Sequence, residues 1–243
     1  MLISKSQIKL ITGLQQKKYR DKYGLFVAEG PKVISELIQS GMIPEMFFAS
    51  ETLSVAGSSA ILITPGELQK ISMLKTANNS LAVFKTPKVS PIQTRGLIVA
   101  LDAIRDPGNL GTIIRLCDWF GVSQLVCSTD TVDCYNPKVI QATMGSIARV
   151  QVNYTNLSEF IQQSDLEVFG AVMSGETVYE CKLPSEGILV MGNEANGISV
   201  ALEQQLNHRI TIPRFGELQA TESLNVATAT GILLSEFRRL TGK

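Results

Sequence analysis

Two apolar runs near the end of the chain, ILVMG at 188–192 and RITIP at 209–213, each pass straight into a polar, glycine-containing turn. The first turn reads NEANGIS; the second reads RFGELQATESLN and leads into a long helix, VATATGILLSEFRRL. Short runs that are apolar throughout suit strands covered on both faces, as in a parallel sheet flanked by helices. In open parallel sheets, ligands lie at the carboxyl ends of the strands. A structural core has no need of GNE at one strand end and SLN at the next helix start, so this segment reads as a site.

The rest of the chain fits that frame. Upstream, GLIVALD, QLVCS, VQVNY and EVFGAVM alternate with helical stretches near 110–120, 137–148 and 156–163, the pattern of a parallel α/β sheet. Before them, residues 4–20 carry Ile8, Leu10, Ile11 and Leu14 on a polar background, which predicts one amphipathic helix. GLFVAEG, EMFFAS, AILIT and LAVFK are strand candidates, with helices opened by Pro31 and Pro65. The stretch KTPKVSPIQTRG at 85–96 has no apolar period and reads as a linker. The expected organisation is a small α/β domain at 1–90 and a larger α/β domain at 91–243.

Net charge is zero, but it is unevenly spread: residues 1–95 hold 12 Lys+Arg against 6 Asp+Glu, and residues 96–243 hold 10 against 16. The excess is densest at Lys5, Lys9, Lys17, Lys18, Arg20, Lys22 and Lys32. Such a patch is either a footprint for a phosphate backbone or a solvated helix face, and charge alone does not choose. No run is long enough to span a bilayer, and MLISKSQIKL lacks the apolar core of a signal peptide. Four cysteines without metal-ligand spacing and a single histidine, His208, argue against a zinc site and fit a reduced, cytoplasmic protein.

Neither GxxxxGK[ST] nor GxGxxG is present in the second region, which weighs against a P-loop ATPase or an ordinary dinucleotide-binding domain. The polar residues at strand ends remain: Asp102 to Asn109, then Asn193 and Glu194, then Arg214. In DAIRDPGNLGTIIR, Pro107 and Gly108 make a turn, Asn109 caps or precedes a helix, and Arg115 lies about one and a half turns further on. A lone Arg115 would most simply pair with Asp118 or Asp106 on the surface. At the last helix Thr221 and Ser223 can act as caps, which leaves Asn225 as a poor residue inside a helix.

Together these segments resemble the SpoU/TrmH family of RNA 2′-O-ribose methyltransferases, within the SPOUT superfamily. The family's three motifs are matched in order by NLGTIIRLCDWFGV, ILVMGNEANGIS and IPRFG…ESLNVATATGILLSEF. YNPKVIQATMGSIARVQV and the N-terminal ISKSQIKLITGLQQKKYRDKYGLFVAEGPKVI are also similar to family sequence. The latter resembles a substrate-binding domain related to ribosomal proteins that grip bent RNA.

The resemblance implies a trefoil-knotted methyltransferase domain behind a ribosomal-protein-like RNA-binding domain, and a homodimer with each pocket partly completed by the second subunit. It implies S-adenosylmethionine as cofactor, held largely by backbone at Gly192, Ile212 and Leu224, with no metal, because a sulfonium is already an excellent leaving group. Arg115 matches the family's essential arginine, Asn109 the asparagine of the first motif, Glu194 the glutamate of the second, and Ser223 and Asn225 the serine and asparagine of the third. Lys17, Lys18, Arg20, Lys22 and Lys32 are the expected RNA contacts. The connection ELQATE is longer than in many members. The expected reaction is 2′-O-methylation of a ribose in tRNA or rRNA. The alternatives are an RNA-binding assembly factor that has lost the chemistry and a small-molecule methyltransferase on a similar sheet.

Overall fold

The computed structural model describes residues 3–216, 218 and 223–239, which form two compact units. The first comprises residues 1–88 and 133–149, the second 89–132 and 150–243. Thr221, expected to act as a cap, lies outside the described residues.

In the first unit, α1 (Lys5–Gly13) and α2 (Lys17–Tyr23) are followed by β1 (Leu25–Glu29), α3 (Pro31–Gln39) and β2 (Pro44–Ala49). Then come the two-residue strands β3 (Ser54–Val55), β4 (Ser58–Ser59) and β5 (Ile61–Leu62), and finally α4 (Pro65–Ile71) and β6 (Ser80–Lys85). The main sheet runs β1-β6-β2-β5. One core gathers Ile11, Leu14, Val27, Phe48, Leu68, Ile71, Leu81 and Val83. Both α1 and α4 open with a reciprocal capping box, Ser4 with Gln7 and Thr64 with Glu67, which satisfies backbone donors at the helix starts.

The single helix expected at 4–20 is two. The chain leaves α1 after Gly13 and re-enters a helix at Lys17. Arg20 answers the break: its Nη1 donates to the carbonyls of Leu14 (2.8 Å) and Gln15 (2.9 Å). Its Nε and Nη2 donate to Asp133 Oδ2 at 2.9 and 2.5 Å. Arg20 is 4% exposed. The resemblance set it among the expected RNA contacts; instead it holds the loop between two helices and an aspartate more than a hundred residues away in the chain. Lys17, Lys18, Lys22 and Lys32 are exposed, Lys17 pairing with Asp21 at 2.7 Å.

Residues 133–149 contain α6 (Pro137–Thr143), which packs on β1, and a 3-10 turn at Ser146–Ala148. Tyr135 sets its ring 4.9 Å from that of Phe26. These residues belong to the first unit although in the chain they fall between two strands of the second.

The second unit contains β7 (Leu97–Leu101), α5 (Pro107–Trp119), β8 (Gln124–Ser128), β9 (Gln151–Thr155) and α7 (Leu157–Gln162). It continues with β10 (Val168–Thr177), β11 (Gly187–Met191), α8 (Val200–Glu203), β12 (His208–Thr211) and α9 (Val226–Arg239). The sheet order is β12-β10-β11-β7-β8-β9, and every pairing is parallel. All five residues of β7 and of β11 are buried, as the continuous apolar runs required. The strands β11 and β7 lie side by side in register, Met191 opposite Leu101. Their carboxyl ends therefore deliver Gly192 and Asp102 to the same edge, and β12 delivers Ile212 to that edge two strands away.

Candidate active site

The turn after β11 is pinned from inside and out. Asn193 and Gly197 exchange backbone hydrogen bonds at 3.0 and 2.8 Å, and Asn193 Oδ1 accepts from the Ala195 N–H. Asn193 Nδ2 donates to the Ala103 carbonyl (2.7 Å), and Asp102, 8% exposed, accepts from the Ser199 N–H (2.7 Å). Ala103 itself adopts φ +56°, a conformation costing on the order of 1 kcal/mol in a residue with a Cβ. Its N–H is held by Ser128 Oγ at 2.8 Å. Asn193 and Asp102 stood out in the sequence only as polar residues at strand ends; their work is to tie two loops of one edge together.

Gly192 has no room for a side chain, because a Cβ there would overlap the backbone of Gly197 and Ile198. Gly192→Ala is expected to force the turn open. Overpacking of this kind costs about 1–3 kcal/mol, so the melting temperature falls and affinity for the expected S-adenosylmethionine, read by calorimetry, drops about tenfold. Unchanged affinity would remove the turn from the site.

The start of α5 is set by Asp106, whose carboxylate caps the Asn109 N–H at 2.8 Å, with Pro107 in the first helical position. Asn109 thus projects from the first turn. Its side-chain amide donates to Glu194, and its side-chain oxygen accepts from Asn225 Nδ2 at 2.8 Å. Asn225 is not inside α9, as its position after Thr221 and Ser223 suggested. It is the cap: its Oδ1 accepts from the N–H groups of Ala227 (3.0 Å) and Thr228 (3.2 Å). One asparagine so starts the last helix and joins it to α5 and to the β11 turn.

Beside this network is a cavity of about 620 Å³. Gly192, Glu194, Ile212, Ser223 and Leu224 all line it, with Met173, Arg214 and the whole turn 192–198. Five expected site residues share one cavity, and Asn109 and Asn225 adjoin it through Glu194. Arg115 stands apart. It is exposed on α5, outside the cavity lining of its own chain, and among the described residues it pairs with neither Asp118 nor Asp106.

Thiol chemistry finds no footing here. Cys117 is buried in α5, and burial foremost, with Asp118 beside it, pushes its thiol up to about 12, leaving no thiolate at neutral pH. Cys181 is also shifted up, by burial and by Glu176 and Glu180. Among the described residues no three His, Cys, Asp or Glu side chains gather as they would around a metal, and no helix is long and apolar enough to cross a membrane.

Fold and site define a parallel α/β domain that builds a cavity and a polar network at one strand edge, preceded by a basic α/β unit. Residues 96–235 match the family model of the SpoU rRNA methylase family, and residues 5–86 match the MRM3-like substrate binding domain. The chain belongs to the SpoU rRNA methylase family.

A solved structure described as a putative RNA methyltransferase of the TrmH family from Porphyromonas gingivalis is 35% identical. It has a TM-score of 0.87 over 98% of this chain and 99% of its own. An AdoMet-bound rRNA methyltransferase from Sinorhizobium meliloti is 29% identical, with a TM-score of 0.84 over 99% and 97%. The 23S rRNA (guanosine(2553)-2′-O)-methyltransferase RlmP of Bacillus subtilis is 29% identical over 93% of each chain.

Proposed function

We propose that the protein transfers a methyl group from S-adenosylmethionine to the ribose 2′-oxygen of a guanosine in 23S ribosomal RNA. The observation that carries this reading is the bonded set Glu194–Asn109–Asn225 at the wall of the cavity. It joins all three family motifs at one place. The names of the similar proteins supply the ribose oxygen, the guanosine and the 23S RNA.

The cavity fits the cofactor. Its volume lies within the range of small-molecule sites, Gly192 presents bare backbone, and Ile212 and Leu224 make no backbone hydrogen bond among the described residues. These peptide groups are free to read an adenine edge. When bound, S-adenosylmethionine supplies a methyl group activated on a sulfonium. The protein must then align the 2′-oxygen with that group, so that the O–C bond would form as the S–C bond breaks, releasing S-adenosylhomocysteine, with the hydroxyl proton passing to water. Glu194, held by Asn109, and Ser223 orient what enters the cavity. Arg115 stabilises the charge that develops on the 2′-oxygen and grips a phosphate. A guanidinium, with its pKa above about 12, is a poor base and a good fixed cation.

Arg115 serves this role across a homodimer. It shares a face of α5 with Thr112 and Trp119, all three exposed, Trp119 by 83%. That face is the proposed contact through which a second subunit completes each pocket. The unit built on residues 1–88 is the RNA-binding part, with Lys17, Lys18, Lys22 and Lys32 as phosphate contacts, and residues from about 91 on carry the chemistry. The proposed location is the cytoplasm.

Mapping 2′-O-methyl groups in RNA from cells lacking the gene tests the assignment: one guanosine of 23S RNA should lose its methyl group. Loss confined to tRNA would redirect the target. The reading as an RNA binder without chemistry predicts no heat on calorimetric titration with S-adenosylmethionine.

A further inference from the structure

Phe215 follows Arg214, a cavity-lining residue, and is 82% exposed. It is the one phenylalanine of nine that is exposed; seven are buried, and Phe120 is half-buried. Apolar burial is the default for so large a ring, so an aromatic left in water beside a cavity calls for an occupant. Phe215 is also supported from behind. The Tyr179 ring lies 6.3 Å away at 33° and is itself 43% exposed. Tyr179 sits on a turn that is fixed: buried Val178 donates its N–H to the Thr211 carbonyl (2.9 Å), and Glu180 donates to Thr177 (3.1 Å). The gap between the rings is too small and too tilted to admit a base, so the outer face of Phe215 is the free one.

We propose that Phe215, backed by Tyr179, is a stacking platform for an unpaired nucleobase of the RNA substrate at the mouth of the cavity. The inference rests on the reading of the cavity as a methyl-transfer site on RNA. Proteins take unpaired bases by stacking them on aromatic side chains. A ring already backed by a fixed neighbour loses little freedom when a base lands on it. Neither residue touches the methyl group; their contribution is to position the nucleotide.

Two measurements test this. In steady-state methyl transfer to 23S RNA, Phe215→Ala should raise KM for RNA about tenfold or more, the range for loss of one base–aromatic stack. The turnover number, cofactor affinity and molar mass should stay near those of the parent, and Phe215→Trp should restore KM. Independently of which RNA is the natural target, emission that Phe215→Trp adds over the Trp119 background should be quenched by single-stranded oligoguanylate. Quenching without methyl transfer to 23S RNA would keep the platform and overturn the assigned target. An unchanged KM in Phe215→Ala would overturn the platform, as would absent quenching. So would a fall in molar mass, which would make Phe215 a subunit contact.

Discussion

Arg115→Ala is expected to lower methyl transfer at least about a hundredfold, the usual cost of removing a group that stabilises charge only in the transition state. Cofactor affinity, molar mass and melting temperature should stay at parental values, because Arg115 is exposed and holds no partner among the described residues. This combination separates a catalytic arginine from a structural one. The placement of Arg115 outside its own chain's cavity sharpens the expectation. If each arginine serves the other subunit, mixing Arg115→Ala with Gly192→Ala protein creates mixed dimers with one intact site. Random pairing then restores about a quarter of the parental activity. No recovery would place Arg115 beside its own chain's cavity.

Arg20→Ala should have the opposite profile. Arg20 and Asp133 are 4% and 14% exposed, and the guanidinium also satisfies two carbonyls freed by the break between α1 and α2. Removing one partner of a buried pair costs about 3–5 kcal/mol, because the other charge stays buried and uncompensated. In a chain of this size the melting temperature should drop on the order of 10 °C. Asp133→Asn should lose less, because its amide oxygen still accepts. An RNA-contacting arginine would behave otherwise: stability would hold, and the dependence of RNA affinity on salt would flatten. Lys17, Lys18, Lys22 and Lys32 are the residues expected to show that second behaviour.

The contrast between these arginines shows what the sequence could and could not disclose. Arg115 was singled out only by the resemblance, and its exposure follows from a helix whose buried residues, Leu110, Ile113, Ile114 and Cys117, fall on another side. Arg20 sat among lysines in a basic run, and nothing local announced that a chain break would need its donors. Long-range partners such as Asp133 do not show in periodicity. The strands of the second unit were visible because burial on both faces leaves a continuous apolar signature in β7 and β11. Their order was not, since the same runs are compatible with many arrangements, and the insertion of β11 between β10 and β7 is decided by packing.

The membership of residues 133–149 in the first unit was equally hidden, because α6 has the pattern of any short helix on a sheet. At the site, Asn109, Glu194 and Asn225 were each picked out singly. Only the fold shows them as a bonded chain, and shows that Asn225 seemed out of place in a helix because it is the cap.

The most direct measurement of the central claim is transfer of label from methyl-labelled S-adenosylmethionine to 23S RNA by the purified protein, followed by digestion to nucleosides. Label recovered in 2′-O-methylguanosine, at one site per RNA and absent with Arg115→Ala, is the predicted result. Label on a base, or none at all despite bound cofactor, would contradict it.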